Sequence, residues 1–140
     1  MKFVADIDIP FLKGVLEPYG EVVYKKGLDI CRDDIIDADA LLIRTRTRCD
    51  EELLEGTKVS IITTATIGTD HIDLYYCSSH GIEVANASGC NAGGVMQYVF
   101  SALYGIAARK GIKIDGATIG IVGVGNVGRR IECVADYLGF

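Results

Sequence analysis

A glycine-rich segment near the carboxyl end of the chain has the residue types and spacing of a phosphate-binding turn. An apolar, β-branched run at 119–122 leads into Gly123-Val124-Gly125-Asn126-Val127-Gly128, and a helical pattern follows. In such a turn the three glycines permit a tight bend, close approach of a pyrophosphate and close packing of helix on strand. The N–H groups at the start of the helix would then face the phosphates. The spacing predicts a dinucleotide site at Gly123, Gly125 and Gly128. The alternative is a strand-to-helix turn that binds nothing.

The rest of such a site would lie beyond this turn. The acidic residue that holds the adenosine ribose is expected about 20 residues after the glycines. The sequence extends only to Phe140, close to where the helix should end. We therefore expect these residues to contain only the start of a nucleotide-binding domain.

Two loops earlier in the chain combine cations, hydroxyl groups and glycine. Arg44-Thr45-Arg46-Thr47-Arg48 follows an apolar run at 40–43, and the segment 65–71 follows a β-branched run at 59–64. Ligands of parallel α/β sheets gather beyond the carboxyl ends of the strands. Arginine binds carboxylate and phosphate groups through paired donors. The two loops favour a site for a small anionic substrate, with a solvated basic loop and an ordinary capped turn as the alternative.

Strand and helix patterns alternate over the first 90 residues. Five short apolar runs predict strands at 2–6, 21–24, 40–43, 59–64 and 82–84. Helices are predicted between them at 11–17, 32–36, 51–54 and from 69 to 80. Asp50 and Asp73 are placed to cap the last two of these helices. This alternation predicts a parallel α/β sheet with one core.

The segment 92–110 has a different pattern. Its apolar residues recur at helical spacing over a broad face, and Gly111 follows as a left-handed cap. We expect one long helix that leads from the first domain to the next. Its apolar stripe is typical of a core or a subunit interface.

Composition excludes several classes of protein. Hydrophobic residues make up 49% of the chain and the formal net charge is −5, so there is no basic stripe for nucleic acid. No apolar run has the length of a membrane span. Five cysteines without a Cys-x-x-Cys pair, and only two histidines, argue against a zinc site. Free thiols favour a reducing cytoplasm.

Four segments together resemble a known family. They are Arg44-Thr45, the stretch 65–73, Gly89-Cys90-Asn91-Ala92 and the glycine turn with its flanks at 120–130. They look like the D-isomer-specific 2-hydroxyacid dehydrogenases, and within them a subgroup that acts on a phosphorylated 2-hydroxy acid. The resemblance implies an α/β fold: a flavodoxin-like, five-stranded parallel substrate domain, followed by the first β-α of a Rossmann NAD-binding domain.

The resemblance also implies roles for individual residues. Thr45 and Thr66 match substrate-contacting positions, Arg44 is a neighbour that would meet a carboxylate or phosphate, and Asn91 matches an asparagine near substrate and nicotinamide. Asn126 and Val127 would offer backbone groups to NAD.

No catalytic residue is assigned within the chain. The arginine and the carboxylate-supported histidine that the family's chemistry needs are expected further along, and His71 and His80 do not match that histidine. We expect these 140 residues by themselves to be inactive.

The expected organisation is a substrate domain at 1–90, followed by a linking helix and the start of an NAD-binding domain at 91–140. The expected protein is a cytoplasmic homodimer that binds a small phosphorylated 2-hydroxy acid, with no nucleic acid or membrane partner. Two alternatives stay open. One is another 2-hydroxyacid dehydrogenase, such as a phosphoglycerate type. The other is a non-catalytic module that binds an anion or a nucleotide.

Overall fold

The computed structural model describes residues 1–140, which form two compact units, Met1–Ala87 and Ser88–Phe140. The first unit contains a five-stranded sheet in which all pairs are parallel and the strand order is β2-β1-β3-β4-β5. Its strands are β1 (Lys2–Asp6), β2 (Glu21–Lys25), β3 (Ala40–Ile43), β4 (Ile61–Thr64) and β5 (Glu83–Asn86). The expected five-stranded parallel sheet is confirmed.

Apolar side chains on the central strands form the core. Val4, Leu41 and Ile62 occupy matching positions on β1, β3 and β4, and all three are fully buried. A parallel strand that is covered on both faces needs a nearly continuous apolar sequence, which is what Ala40–Ile43 supplies. The same cluster takes in Ile35 and Cys77 from the flanking helices.

Three short helices cover this sheet: α1 (Arg32–Ile35), α2 (Glu51–Leu54) and α3 (Leu74–Ser79). The carboxylate of Asp50 accepts the Leu53 N–H at 3.3 Å, and that of Asp73 accepts the Tyr76 N–H at 2.9 Å. Both caps predicted from the sequence are therefore present.

The helix predicted at 11–17 is wrong. This segment forms a series of turns, in which Val15 donates to the Leu12 carbonyl and Tyr19 to the Leu16 carbonyl. Phe11 has φ of 61° and Gly14 has φ of 88°. Positive φ values interrupt a right-handed helix within its first turn, so the apolar spacing here does not produce one.

The start of α3 also differs from the prediction. Residues 69–73 are not helical, because Ile72 pairs in parallel with Cys49. Cys49 donates its N–H to the His71 carbonyl at 2.8 Å and accepts the Asp73 N–H at 2.8 Å. This bridge joins the loop after β3 to the loop after β4. As a result, α3 begins only at Leu74.

The second unit consists mainly of two helices, α4 (Ala92–Lys110) and α5 (Asn126–Tyr137). The bounds of α4 match the prediction, and Gly111 ends it with φ of 64°. Phe140 packs against Phe100 and Tyr104 of α4.

The strand expected before the glycine turn, at the apolar run 119–122, is not formed. These residues form no backbone hydrogen-bond ladder with another segment, and the Val122 side chain is fully exposed. The first β-α of a Rossmann domain is therefore represented in the structure by the turn and α5 alone.

The cysteines are all free thiols. Cys49 and Cys77 are buried, whereas Cys31, Cys90 and Cys133 are exposed. Burial raises the pKa of the Cys49 thiol to about 12, which keeps it in the unreactive protonated form. No group of three or more metal-ligating side chains comes together, and none of the helices is long and apolar enough to cross a membrane.

An ion pair between β2 and α1 makes the stability of the first unit depend on pH. Lys25 Nζ lies 2.6 and 2.7 Å from the two carboxylate oxygens of Asp34, which also accepts the Cys31 N–H. These contacts lower the pKa of Asp34 from 3.8 to about 2. The stabilisation is therefore complete above the unfolded value of about 3.9 and is lost as the pH falls towards 2.

We predict that Asp34→Asn lowers the free energy of unfolding near neutral pH, and that the difference from the unmodified chain shrinks as the pH falls from 4 towards 2. Urea unfolding at a series of pH values measures this. Asp33→Asn is the matched control, because Asp33 lies in the same turn and forms no ion pair. An equal pH-dependent difference for both variants would contradict the assignment to the Lys25 pair.

Candidate functional site

The predicted substrate residues of the first unit lie at one edge of the sheet. Ile43 pairs with Thr64 at the ends of β3 and β4, and the Ala65 N–H donates to the Ile43 carbonyl at 2.9 Å. Arg44 and Thr66 follow this pair by one and two residues. Parallel pairing therefore delivers both loops to the same edge, as expected. We call Arg44, Thr45 and Thr66 the strand-end site.

Arg44 is exposed and held on one side only. Its Nη1 donates to the Asp8 carbonyl at 3.2 Å. Asp8 is in turn fixed by Asp6, whose buried carboxylate accepts the Asp8 N–H at 3.0 Å. A guanidinium carries five N–H donors, so most of those on Arg44 remain available to an anion.

The loop after β3 divides into an inward and an outward part. The Thr47 side chain is buried and donates to the Gly27 carbonyl at 2.9 Å, which anchors the loop. Thr45 and Arg46 are exposed and make no side-chain hydrogen bond. The Thr45 hydroxyl is thus free to meet a ligand, whereas nothing in the structure explains Arg46.

Thr66 belongs to a hydrogen-bonded group at the end of β4. Its hydroxyl lies 2.7 Å from that of Thr64, a fully buried residue, and 3.4 Å from the Gly68 carbonyl. Its own carbonyl accepts the Ala87 N–H at 3.1 Å. The Thr66 side chain is therefore fixed from behind and partly open in front.

Half-buried His71 continues this group on the other side of Thr64. Its Nε2 lies 3.3 Å from the Thr64 hydroxyl. Burial lowers the pKa of His71, and the nearby Asp70 carboxylate opposes that shift, so the ring is neutral at pH 7. Sequence analysis gave no functional role to His71. The contact joins residues seven apart across an irregular loop, which no helical or strand period would indicate.

Asn91 lies in the second unit, at the residue before α4. Its carbonyl accepts the Val95 N–H at 3.0 Å, whereas its side chain is exposed and caps nothing. The amide is therefore available to a ligand.

The start of α5 fits a dinucleotide pyrophosphate. Gly125 precedes the helix, no side chain caps it, and its first turn contains no acidic residue. The first N–H groups of a helix have no acceptor within it, so they are available to phosphate oxygens. Beside them lies an open cleft of about 440 Å³, lined by Val124, Gly125, Asn126, Arg129 and Arg130.

Gly123 and Gly128 shape this turn from inside. Gly123 has φ of 91°, and a Cβ at Gly128 would collide with the Gly123 carbonyl. A Cβ at Gly125 would meet nothing, which leaves space for a ligand. The group that approaches Gly128 closely is therefore the Gly123 carbonyl of the same turn.

Asn126 has a second role that sequence analysis missed. Its Nδ2 donates to Ser88 Oγ at 2.9 Å, and its side chain lies against Gly89. The Asn126 side chain therefore holds the turn before α4, whereas its backbone N–H lies at the cleft that Asn126 lines. Val127 is half-buried and does not line the cleft, and its apolar side chain leaves only its backbone groups to bind a cofactor.

Residues 3–119 match the catalytic domain of the D-isomer specific 2-hydroxyacid dehydrogenases. The chain belongs to this family. The resemblance carried by the four sequence segments is therefore confirmed.

The sequences of two related enzymes align with nearly the whole chain. The chain is 51% identical over 140 residues to erythronate-4-phosphate dehydrogenase of Bacteroides fragilis, covering 99% of this chain and 40% of the relative. The enzyme of the same name from Porphyromonas gingivalis is 43% identical, at 99% and 38% coverage. The chain thus spans about 40% of the length of these relatives.

A solved structure is similar as well. NAD+-bound 3-phosphoglycerate dehydrogenase of Entamoeba histolytica is 32% identical, with a TM-score of 0.69, and the match covers 99% of this chain and 51% of that chain. D-lactate dehydrogenase of Aquifex aeolicus shares the fold at 19% identity and a TM-score of 0.68.

We predict that Gly128→Ala destabilises the second unit by about 1–3 kcal/mol, because the new methyl group displaces the Gly123 carbonyl. Gly105→Ala is the matched control: it lies within α4 with nothing near its Cβ, and should stabilise by about 0.5–1 kcal/mol. Amide hydrogen exchange in α4 and α5 separates the two effects. Equal protection of α5 in both variants would show that the close approach is not needed.

Proposed function

We propose that this chain is the amino-terminal part of an NAD-dependent dehydrogenase that oxidises 4-phospho-D-erythronate at C2, in pyridoxal 5′-phosphate biosynthesis. The observation that carries the proposal is the convergence of Arg44 and Thr66 at one sheet edge through the Ile43–Thr64 pair. The name of the relatives at 42–51% identity supports the choice of substrate.

The strand-end site binds the substrate through complementary charge. Arg44 offers a guanidinium to the carboxylate or phosphate group, and the hydroxyls of Thr45 and Thr66 donate to its oxygens. Asn91 offers its side-chain amide to the substrate. Each of these groups binds or orients the substrate, and none of them exchanges a proton with it.

The start of α5 holds the cofactor. Backbone N–H groups of Asn126, Val127 and Gly128 bind the pyrophosphate, and Gly125 leaves room for it. NAD, when bound, accepts the hydride from C2. The NAD-bound neighbour from Entamoeba histolytica supports this choice of cofactor.

The proton at the C2 hydroxyl needs a base that these 140 residues do not supply. His71 is neutral, but its Nε2 is engaged with Thr64. We assign proton transfer to a group outside the chain, in the remaining 60% of an enzyme of the relatives' length.

A phosphoglycerate-type dehydrogenase is the second candidate. The 32% identity with 3-phosphoglycerate dehydrogenase of Entamoeba histolytica favours it. Both substrates are phosphorylated 2-hydroxy acids, so the charge of the strand-end site suits either one.

A chimera tests the proposal. Residues 1–140 are joined to the remaining part of the Bacteroides fragilis relative, and NADH formation is measured with 4-phospho-D-erythronate and with 3-phosphoglycerate. We expect turnover with the first substrate, and none by the 140-residue chain alone. A higher kcat/KM with 3-phosphoglycerate would favour the second candidate.

Two substitutions in the chimera test the site. Arg44→Ala and Thr66→Val should each lower kcat/KM by roughly 10- to 150-fold, since each removes a contact to a charged group worth about 1.5–3 kcal/mol. Arg46→Ala is the matched control and should change little, because the Arg46 side chain is exposed and makes no hydrogen bond or ion pair. Parental kcat/KM in both test variants would refute the site.

We further propose that the protein is a cytoplasmic homodimer. The free thiols suit a reducing compartment. The second unit exposes large apolar side chains, among them Tyr98 and Ile106 on α4 and Val122 before α5. Patches of this kind are typical of subunit interfaces.

Sedimentation equilibrium of the chain should show a dimer that Ile106→Lys weakens, because the substitution places a charge in the apolar interface. Lys113→Ala, at an exposed polar position after α4, is the control. A monomer at all concentrations would exclude the proposed interface.

A further inference from the structure

Three side chains form a continuous hydrogen-bonded row that runs from half-buried His71 through buried Thr64 to Thr66 of the strand-end site. His71 Nε2 lies 3.3 Å from Thr64 Oγ1, which lies 2.7 Å from Thr66 Oγ1. The row ends at the Gly68 carbonyl, 3.4 Å from Thr66 Oγ1. Because Thr64 is fully buried, water does not reach its hydroxyl, and Thr66 and His71 are the hydrogen-bond partners of that hydroxyl.

Each hydroxyl in this row has one hydrogen to donate, and this fixes which atom is the donor in each contact. The Gly68 carbonyl can only accept, so the single hydrogen of the Thr66 hydroxyl points to it. The short contact between the two threonines then needs the hydrogen of Thr64. Thr64 has none left for His71, so the His71 Nε2–H must donate to the Thr64 oxygen.

The direction matters for a ligand that carries negative charge. A hydroxyl whose hydrogen points outwards attracts a carboxylate or phosphate oxygen, whereas one that presents its lone pairs repels it. The contact between Thr66 and Gly68 is long for an O–H···O bond, so the Thr66 hydroxyl can turn its hydrogen towards a charged oxygen of a ligand, which is a better acceptor.

We propose that His71 is a positioning residue: acting through buried Thr64, it holds the Thr66 hydroxyl as a hydrogen-bond donor towards the anionic group of the substrate. The inference rests on the proposed function, which places an acidic ligand at Thr66. Burial keeps the ring neutral against the opposing charge of Asp70, so its one hydrogen defines the direction.

The tautomer of His71 tests the direction without any ligand. In the ¹⁵N-labelled 140-residue chain, the Nδ1 and Nε2 chemical shifts at pH 7.5 distinguish the two neutral forms. We expect the hydrogen on Nε2. A hydrogen on Nδ1 would overturn the proposal, because Thr64 would then have to donate to His71 and Thr66 to Thr64.

Binding of 4-phospho-D-erythronate, followed by amide shifts of the same chain, tests the consequence. Thr64→Val and His71→Leu should each weaken binding about five- to tenfold, and His71→Gln, which retains a donor, should restore most of it. Thr63→Val, on the same strand but outside the row, is the matched control.

The two outcomes of this titration are separable. Unchanged binding in Thr64→Val, with the fold confirmed by its amide spectrum, would overturn the positioning role while leaving the proposed site intact. Absence of binding by the unmodified chain would count against the proposed substrate site, and the tautomer measurement would then decide the direction of the row.

Discussion

The parallel pairing of β3 with β4 is the constraint on which the first unit depends. It aligns Leu41 with Ile62 in the middle of the core and Ile43 with Thr64 at the edge. Burial of the first pair fixes the register, since a slip of one residue would move every apolar side chain to the opposite face. With the register fixed, the loops that follow both strands must begin side by side.

Those loops are joined a second time further out. The parallel bridge between Cys49 and Ile72 connects them beyond the sheet, and Thr47 anchors the first loop to the Gly27 carbonyl. Exposed residues that lie between such anchors, such as Arg44 and Thr66, have their backbone positions set by buried neighbours.

Buried polar groups orient neighbouring residues through hydrogen bonds, whereas buried apolar groups stabilise the fold. Asp6 and Thr64 are both almost completely buried, and each is satisfied by hydrogen bonds. Asp6 orders the turn whose carbonyl receives Arg44, and Thr64 links His71 to Thr66. Asp6 therefore acts on the strand-end site through Asp8, whereas Thr64 contacts Thr66 of that site directly.

The sequence by itself determined the elements whose signals are local. The bounds of α4, the caps at Asp50 and Asp73, and the strand alternation all follow from side-chain periodicity and from hydrogen bonds within a few residues. The family motifs likewise indicated Arg44 and Thr66 before any geometry.

Only the tertiary structure decided the rest. Contacts between distant segments replaced the first turn of α3 with the Cys49–Ile72 bridge, and the absence of a partner strand left the run 119–122 unpaired. The turns at 11–17 and the link from His71 to Thr64 follow no period either. A strand or a hydrogen-bonded row needs a partner in space, and which residues become partners is set by folding.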